Sequence, residues 1–135
     1  MERIFVDTSG WVALFVENDR NHKKAVSIFE EIKSSRALIY TSDYIVDETI
    51  TTILARGSHR QSVFAGEALF TSEIIEIIPI SSDYFQTAWE LYQKYKDKKF
   101  SFTDVTSFAL MRDLNIKKAF AFDREFLQAG IELMG

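Results

Sequence analysis

Cysteine is absent from all 135 residues, and histidine occurs only twice, at His22 and His59. Without thiols the chain has no disulfide framework and no thiolate metal site, and two isolated imidazoles do not make a histidine-rich zinc site. Any metal must therefore be held by oxygen. Long apolar runs are missing too. None approaches the ~18 residues of a membrane-spanning helix, and no basic leader precedes an apolar stretch, so we expect a cytoplasmic protein with no membrane partner. Positive charge is also scarce: 16 Lys and Arg against 20 Asp and Glu leave a formal net charge of −4. That balance argues against coating nucleic acid through bulk charge but leaves local basic patches open. The one proline, Pro79, lies in a β-rich run, and no linker, repeat or low-complexity tract divides the chain. A hydrophobic content of 47% is ample for one packed core, so we expect a single domain over residues 1–135.

What remains alternates strand and helix patterns from end to end. Strand patterns cover residues 1–6, 37–40, 74–80 and 118–122, with an edge strand expected over 131–134 after Gly130. Helical spacing covers residues 9–17, 21–34, 42–56, 60–71, 81–95, 103–114 and 124–129. Ala25, Ile28, Phe29 and Ile32 share one face of the second helix. Ile45, Ile50, Ile53 and Leu54 form the apolar side of the third, which Gly57 stops, and Phe85, Ala88, Trp89 and Tyr92 are expected to face inward from the fifth. Strands separated by helices imply crossover connections. The expected class is therefore α/β, with a mainly parallel sheet covered on both faces.

In such sheets ligands bind beyond the carboxyl ends of the strands. Asp7 in "RIFVDTSGWVALF" and Asp123 in "AFAFDREF" both sit where a strand pattern runs out. Asp104 in "FSFTDVTSF" falls in the first turn of a helix, and Glu48 in "YIVDETITTI" lies one to two turns into another. Taken singly, each Asp has a simpler reading as a helix cap, and Ser101 with Asp104 makes a plausible capping box. Together they are harder to explain that way. Two unit charges ~4 Å apart cost about 4 kcal/mol at an effective dielectric of 20, so four converging carboxylates call for a cation. Mg²⁺ or Mn²⁺ suits an all-oxygen set, and such an ion can activate water against a phosphodiester. Asp43 and Asp47, which flank the Glu48 turn, read as structural: Asp43 is a first-turn acid, and Asp47 points about 100° away from Glu48.

At these residues the chain resembles the PIN domain family, and within it the VapC-type toxin ribonucleases. The matching segments are "FVDTSGWVAL", "VDETIT", "FSFTDVTSFALM" and "AFDREF", in order along nearly the whole chain. The resemblance implies a three-layer α/β/α sandwich, Mg²⁺- or Mn²⁺-dependent cleavage of RNA, a homodimer and a separately encoded antitoxin. It makes Asp7 and Asp104 the principal metal ligands, with Glu48 and Asp123 completing the catalytic acidic pocket and Ser9 supplying a supporting hydroxyl. Ala121 stands where many relatives have threonine, which removes one hydroxyl.

Basic residues near the acids are candidates for RNA contact: "RGSHR" over residues 56–60 and "KYKDKK" over 94–99, with Lys98, Lys99 and Arg124 nearest the site acids in sequence. His22 and His59 read as surface residues, and Trp11, Phe15, Phe108 and Phe120 as packing groups. Apolar residues in "QSVFAGEALF" offer a surface for a second copy or an antitoxin. A haloacid-dehalogenase-like phosphatase needs a second Asp two residues after the first, where this chain has Ser9. A von Willebrand-type adhesion site needs a hydroxyl at position 11, where it has Trp11. The remaining alternative is a catalytically silent PIN-like scaffold that binds RNA or protein, against which the retention of all four acids argues.

Overall fold

The computed structural model describes residues 1–134. Five strands form one sheet: β1 (Arg3–Val6), β2 (Leu38–Ser42), β3 (Ile75–Ile78), β4 (Lys118–Phe120) and β5 (Glu132–Leu133). Every neighbouring pair is parallel, in the order β3-β2-β1-β4-β5. The helices are α1 (Thr8–Phe15), α2 (His22–Ser34), α3 (Asp43–Arg56), α4 (His59–Thr71), α5 (Ser82–Lys94), α6 (Phe102–Asp113) and α7 (Glu125–Gln128). Successive side chains of a strand point to opposite faces, yet Ile4, Phe5 and Val6 of β1 are all fully buried. Helices therefore cover both sides of the sheet, giving the expected α/β sandwich. Among the described residues no helix is long and apolar enough to cross a membrane.

The strand order sets where a site can form. The chain steps from β1 outward to β2 and β3, then returns to the other side of β1 for β4 and β5. The order thus reverses between β1 and β4, and a crevice opens beyond the carboxyl ends of strands at such a point. Val6 pairs with Phe120, and the Asp7 amide donates to the Phe120 carbonyl at 3.1 Å, so the segments leaving β1 and β4 start side by side. Trp11 locks this end: its indole Nε1 donates to Thr41 Oγ1 (3.2 Å), which itself donates to the Val6 carbonyl (2.9 Å). Gly10 lets α1 approach β4 closely, because a Cβ there would lie 2.6 Å from the Phe120 carbonyl oxygen.

Two packing expectations are corrected. Leu54 is 50% exposed on α3, and on α5 Phe85, Trp89 and Tyr92 are 47%, 46% and 41% exposed, leaving Ala88 as the buried member of that set. The core-facing residues are instead Tyr84, Ala88 and Leu91 of α5 and the Tyr95 that follows it. Both stripes repeat at helical spacing and their centres lie about 90° apart on the helix, so periodicity alone did not distinguish them. The outer stripe forms an aromatic surface in which Phe85 and Tyr92 meet Phe102 edge-on (5.2 and 5.9 Å between centroids) and Trp89 stacks on Tyr92 (6.1 Å). His22 is half-buried rather than superficial, with Nδ1 2.8 Å from the Ala13 carbonyl, whereas His59 is exposed.

Candidate active site

Asp7 follows β1 directly and caps α1, with a side chain only 4% exposed. Its Oδ2 accepts from the Ser9 amide (3.3 Å) and from Ser9 Oγ (3.0 Å). Ser9 Oγ in turn accepts from the Phe122 amide at 2.9 Å, so one hydroxyl ties the end of β1 to the segment that carries Asp123. Glu48 enters from α3 and accepts a hydrogen bond from Thr8 Oγ1. Asp104 closes a capping box at the start of α6: its amide donates to Ser101 Oγ (3.0 Å), and its Oδ2 accepts from the Ser101 amide (3.1 Å). Asp123 Oδ1 accepts from the Glu125 amide at 3.2 Å.

All four acids line one cavity of about 590 Å³. Asp7 caps α1 and Asp104 closes the capping box of α6, so the simpler reading holds for these two, whereas Asp123 makes a turn bond to the Glu125 amide and α7 starts from Arg124 without a side-chain cap. Among the described residues these bonds leave the second carboxylate oxygen of each of the three without a partner. Burial pushes the Asp7 carboxyl up to about 7, the charges of Asp104 and Glu48 push the same way, and the Ser9 hydrogen bonds oppose them. Asp104 is also raised, first by burial and then by the charges of Asp123 and Glu48, against the Ser101 bonds. Burial raises Asp123. These acids therefore sense one another across the cavity, as like charges in a shared low-dielectric site do. Among the described residues no three acidic or histidine side chains already stand together as a closed cation cage; the carboxylates ring the cavity instead. The donor set is entirely oxygen, which suits a hard divalent cation.

Of the basic residues nearest the acids in sequence, Lys99 lines the cavity, while Lys98 and Arg124 lie outside its lining, Lys98 being 3.9 Å from Asp97. Arg56, from the "RGSHR" run, also lines it. Asp43 accepts from the Ile80 amide (2.9 Å), and Asp47 is exposed and outside the lining. Sequence reasoning missed Arg20 and Asn21 of the α1–α2 loop, and Thr8 as the partner of Glu48. Thr8 had one available signal, its place beside Asp7. The loop residues had none, because only the packing of α1 on α2 and α3 brings that loop to the cavity.

Residues 4–132 match the PIN domain family. The chain is 36% identical over 127 residues to the 23S rRNA-specific endonuclease VapC20 of Mycobacterium tuberculosis, the alignment covering 94% of each protein. Its structure is similar to the crystal structure of Mycobacterium tuberculosis VapC20, described as a sarcin-ricin loop cleaving toxin, with a TM-score of 0.85 and 35% identity over 95% of both chains. FitAcB from Neisseria gonorrhoeae shares the fold at a TM-score of 0.69 and 15% identity, over 98% of this chain and 96% of that one. VapBC2 from Rickettsia felis, bound to a DNA fragment from its promoter, does so at 0.67 and 15%, over 97% and 96%.

Proposed function

The chain belongs to the PIN domain family, and from that premise we propose that it is a toxin endoribonuclease that hydrolyses RNA phosphodiesters at the cavity ringed by Asp7, Glu48, Asp104 and Asp123. The observation that carries this reading is the meeting of four acids, distant in sequence, at the switch point of the sheet, in a chain closely similar to a ribosomal RNA endonuclease. Asp7 and Asp104 are the principal candidates to hold Mg²⁺ or Mn²⁺, with Glu48 and Asp123 completing the set. Such an ion, when bound, supplies charge neutralisation for the phosphodiester and acidifies an attacking water. The rest falls to the chain. Ser9 orients Asp7, Thr8 orients Glu48, and the capping box presents Asp104 in a fixed rotamer, so the carboxylates are positioned before substrate arrives. Lys99 adds positive charge at the cavity wall, where the acids alone would repel RNA.

Two partners belong to the same reading. A cell making this nuclease must hold it inactive, so a separately encoded antitoxin is its expected protein partner. A homodimer is supported by the aromatic face of α5, where Phe85, Trp89 and Tyr92 stand exposed as one patch.

The test is direct. Asp7→Asn or Asp104→Asn keeps the shape of the side chain but removes the charge that holds a cation, so each should lose Mn²⁺-dependent RNA cleavage by at least about a hundredfold while keeping its circular dichroism spectrum. Wild-type cleavage by either purified variant, with contaminating nuclease excluded, would overturn the site assignment.

A further inference from the structure

Arg56 is the last residue of α3, and it lines the acidic cavity although its side chain is 43% exposed. A flexible arginine at a helix end normally wanders, at a cost in entropy to anything that must recruit it. This one is tethered. Its Nη1 donates to Asp19 Oδ2 at 2.9 Å, and Asp19 is itself only 13% exposed and held on its other oxygen by the Asn21 amide at 2.8 Å. The loop behind Asp19 is braced by backbone bonds from the Asp19 amide to the Val16 carbonyl (3.0 Å) and from the His22 amide to the Asp19 carbonyl (3.0 Å). Together these bonds hold the Asp19 carboxylate in place, and it engages the Nη1 end of a planar fork that carries five donors.

We propose that Arg56 is the substrate-phosphate contact of this cavity and that Asp19 is its positioning residue. Nη1 is engaged by Asp19, and the other donors of the fork would serve a phosphate oxygen of an RNA strand entering the acidic cavity. Arg20, which also lines the cavity from the same loop, adds charge without a tether. Pre-orientation reduces the rotamer freedom lost on binding, which is how a partly neutralised arginine becomes a better phosphate ligand than a free one. The inference rests on the endoribonuclease reading for the identity of the strand, but binding can be measured without cleavage.

The experiment uses the full chain carrying Asp104→Asn, in chelator, with a short labelled single-stranded RNA titrated across a range of salt. Arg56→Ala should weaken binding about tenfold, as loss of a charge-assisted hydrogen bond does, and lower the slope of log affinity against log salt by about 0.7, one phosphate contact on a single strand. Arg56→Lys should keep the slope and lose part of the affinity, because charge is retained without the fork. Asp19→Asn gives the signed test. If only bulk charge mattered, removing a carboxylate beside the cavity would tighten binding; loss of the tether should weaken it at least about threefold with the slope unchanged. Tighter binding by Asp19→Asn, or no difference between the reference and Arg56→Ala at any salt, including no binding by either, would overturn the proposal. A chain that binds RNA with this Arg56 dependence yet cuts nothing as wild type would leave the inference standing and sink the nuclease reading. A wild type that cuts, with KM unchanged in Arg56→Ala, would do the reverse.

Discussion

Asp7 carries opposed duties: it caps α1, where its charge is favourable, and it sits almost dry beside other carboxylates, where its charge is not. A rise of its carboxyl from 3.8 to about 7 corresponds to something on the order of 4 kcal/mol of destabilisation of the ionised form. Because the folded value lies above the unfolded one, the native state holds the extra proton between these values. Stability without metal therefore falls as pH rises through this window, and the loss is complete above about 7. Asp7→Asn keeps a good cap and removes the titration. In chelator it should be more stable than wild type near pH 8 and little different near pH 4, as measured by urea unfolding at each pH. Mn²⁺ competes with that same proton, so its stabilisation of wild type should grow as pH rises toward 7. An Asp7→Asn protein that is less stable than wild type near pH 8 would return this acid to plain capping duty.

At the scale of elements, the site depends on how closely α1 lies against β4. A Cβ at Gly10 would meet the backbone oxygen of Phe120 at 2.6 Å, and a backbone atom cannot swing aside. Gly10→Ala gains about 1 kcal/mol of helix propensity, but the forced separation costs roughly 1–3 kcal/mol. We expect a net loss of stability, and a larger loss of cleavage, because the shift also strains the bond between Ser9 and the Phe122 amide. Thermal melting and cleavage rates of the variant check both; a more stable and fully active protein would show that the contact relaxes freely. Element identity was largely legible here. Ser101 caps α6 as the sequence pattern indicated, and Gly57 ends α3. The facing of α5 was not legible, since two adjacent apolar stripes satisfy the same spacing and only packing against α6 and the core chose the Tyr84 stripe.

At the scale of the whole molecule, the stripe left outside is the feature a lone domain does not explain. In the proposed homodimer the exposed group of Phe85, Trp89 and Tyr92, backed by the half-buried Phe102, would be the contact surface. Sedimentation should find a dimer for wild type and mainly monomer for the Phe85→Ser/Trp89→Ser double variant, with circular dichroism unchanged. Coexpression adds the second partner to the same measurement: an antitoxin bound away from this patch should still copurify with the monomeric variant and suppress its cleavage. A double variant that stays dimeric would place the dimer surface elsewhere, for instance on α4, where Phe64 and Phe70 are also exposed.

The sequence by itself determined the parallel α/β class, the absence of thiolate from any metal site and the choice of four acids as candidates, because these follow from periodicity, composition and motifs carried within short segments. Asp7, Glu48, Asp104 and Asp123 could be singled out as candidates since each lies in a compact segment of its own, and the fold brings all four to one cavity. Tertiary structure alone decided that Ser9 bridges two strand ends, that Thr8 orients Glu48, and that Asp19 and Arg56 meet although 37 positions separate them. The same is true of which face of α5 is buried. Each of these depends on the distance between elements rather than on the content of any one of them, and that distance is fixed by the strand order and by side chains packing across it.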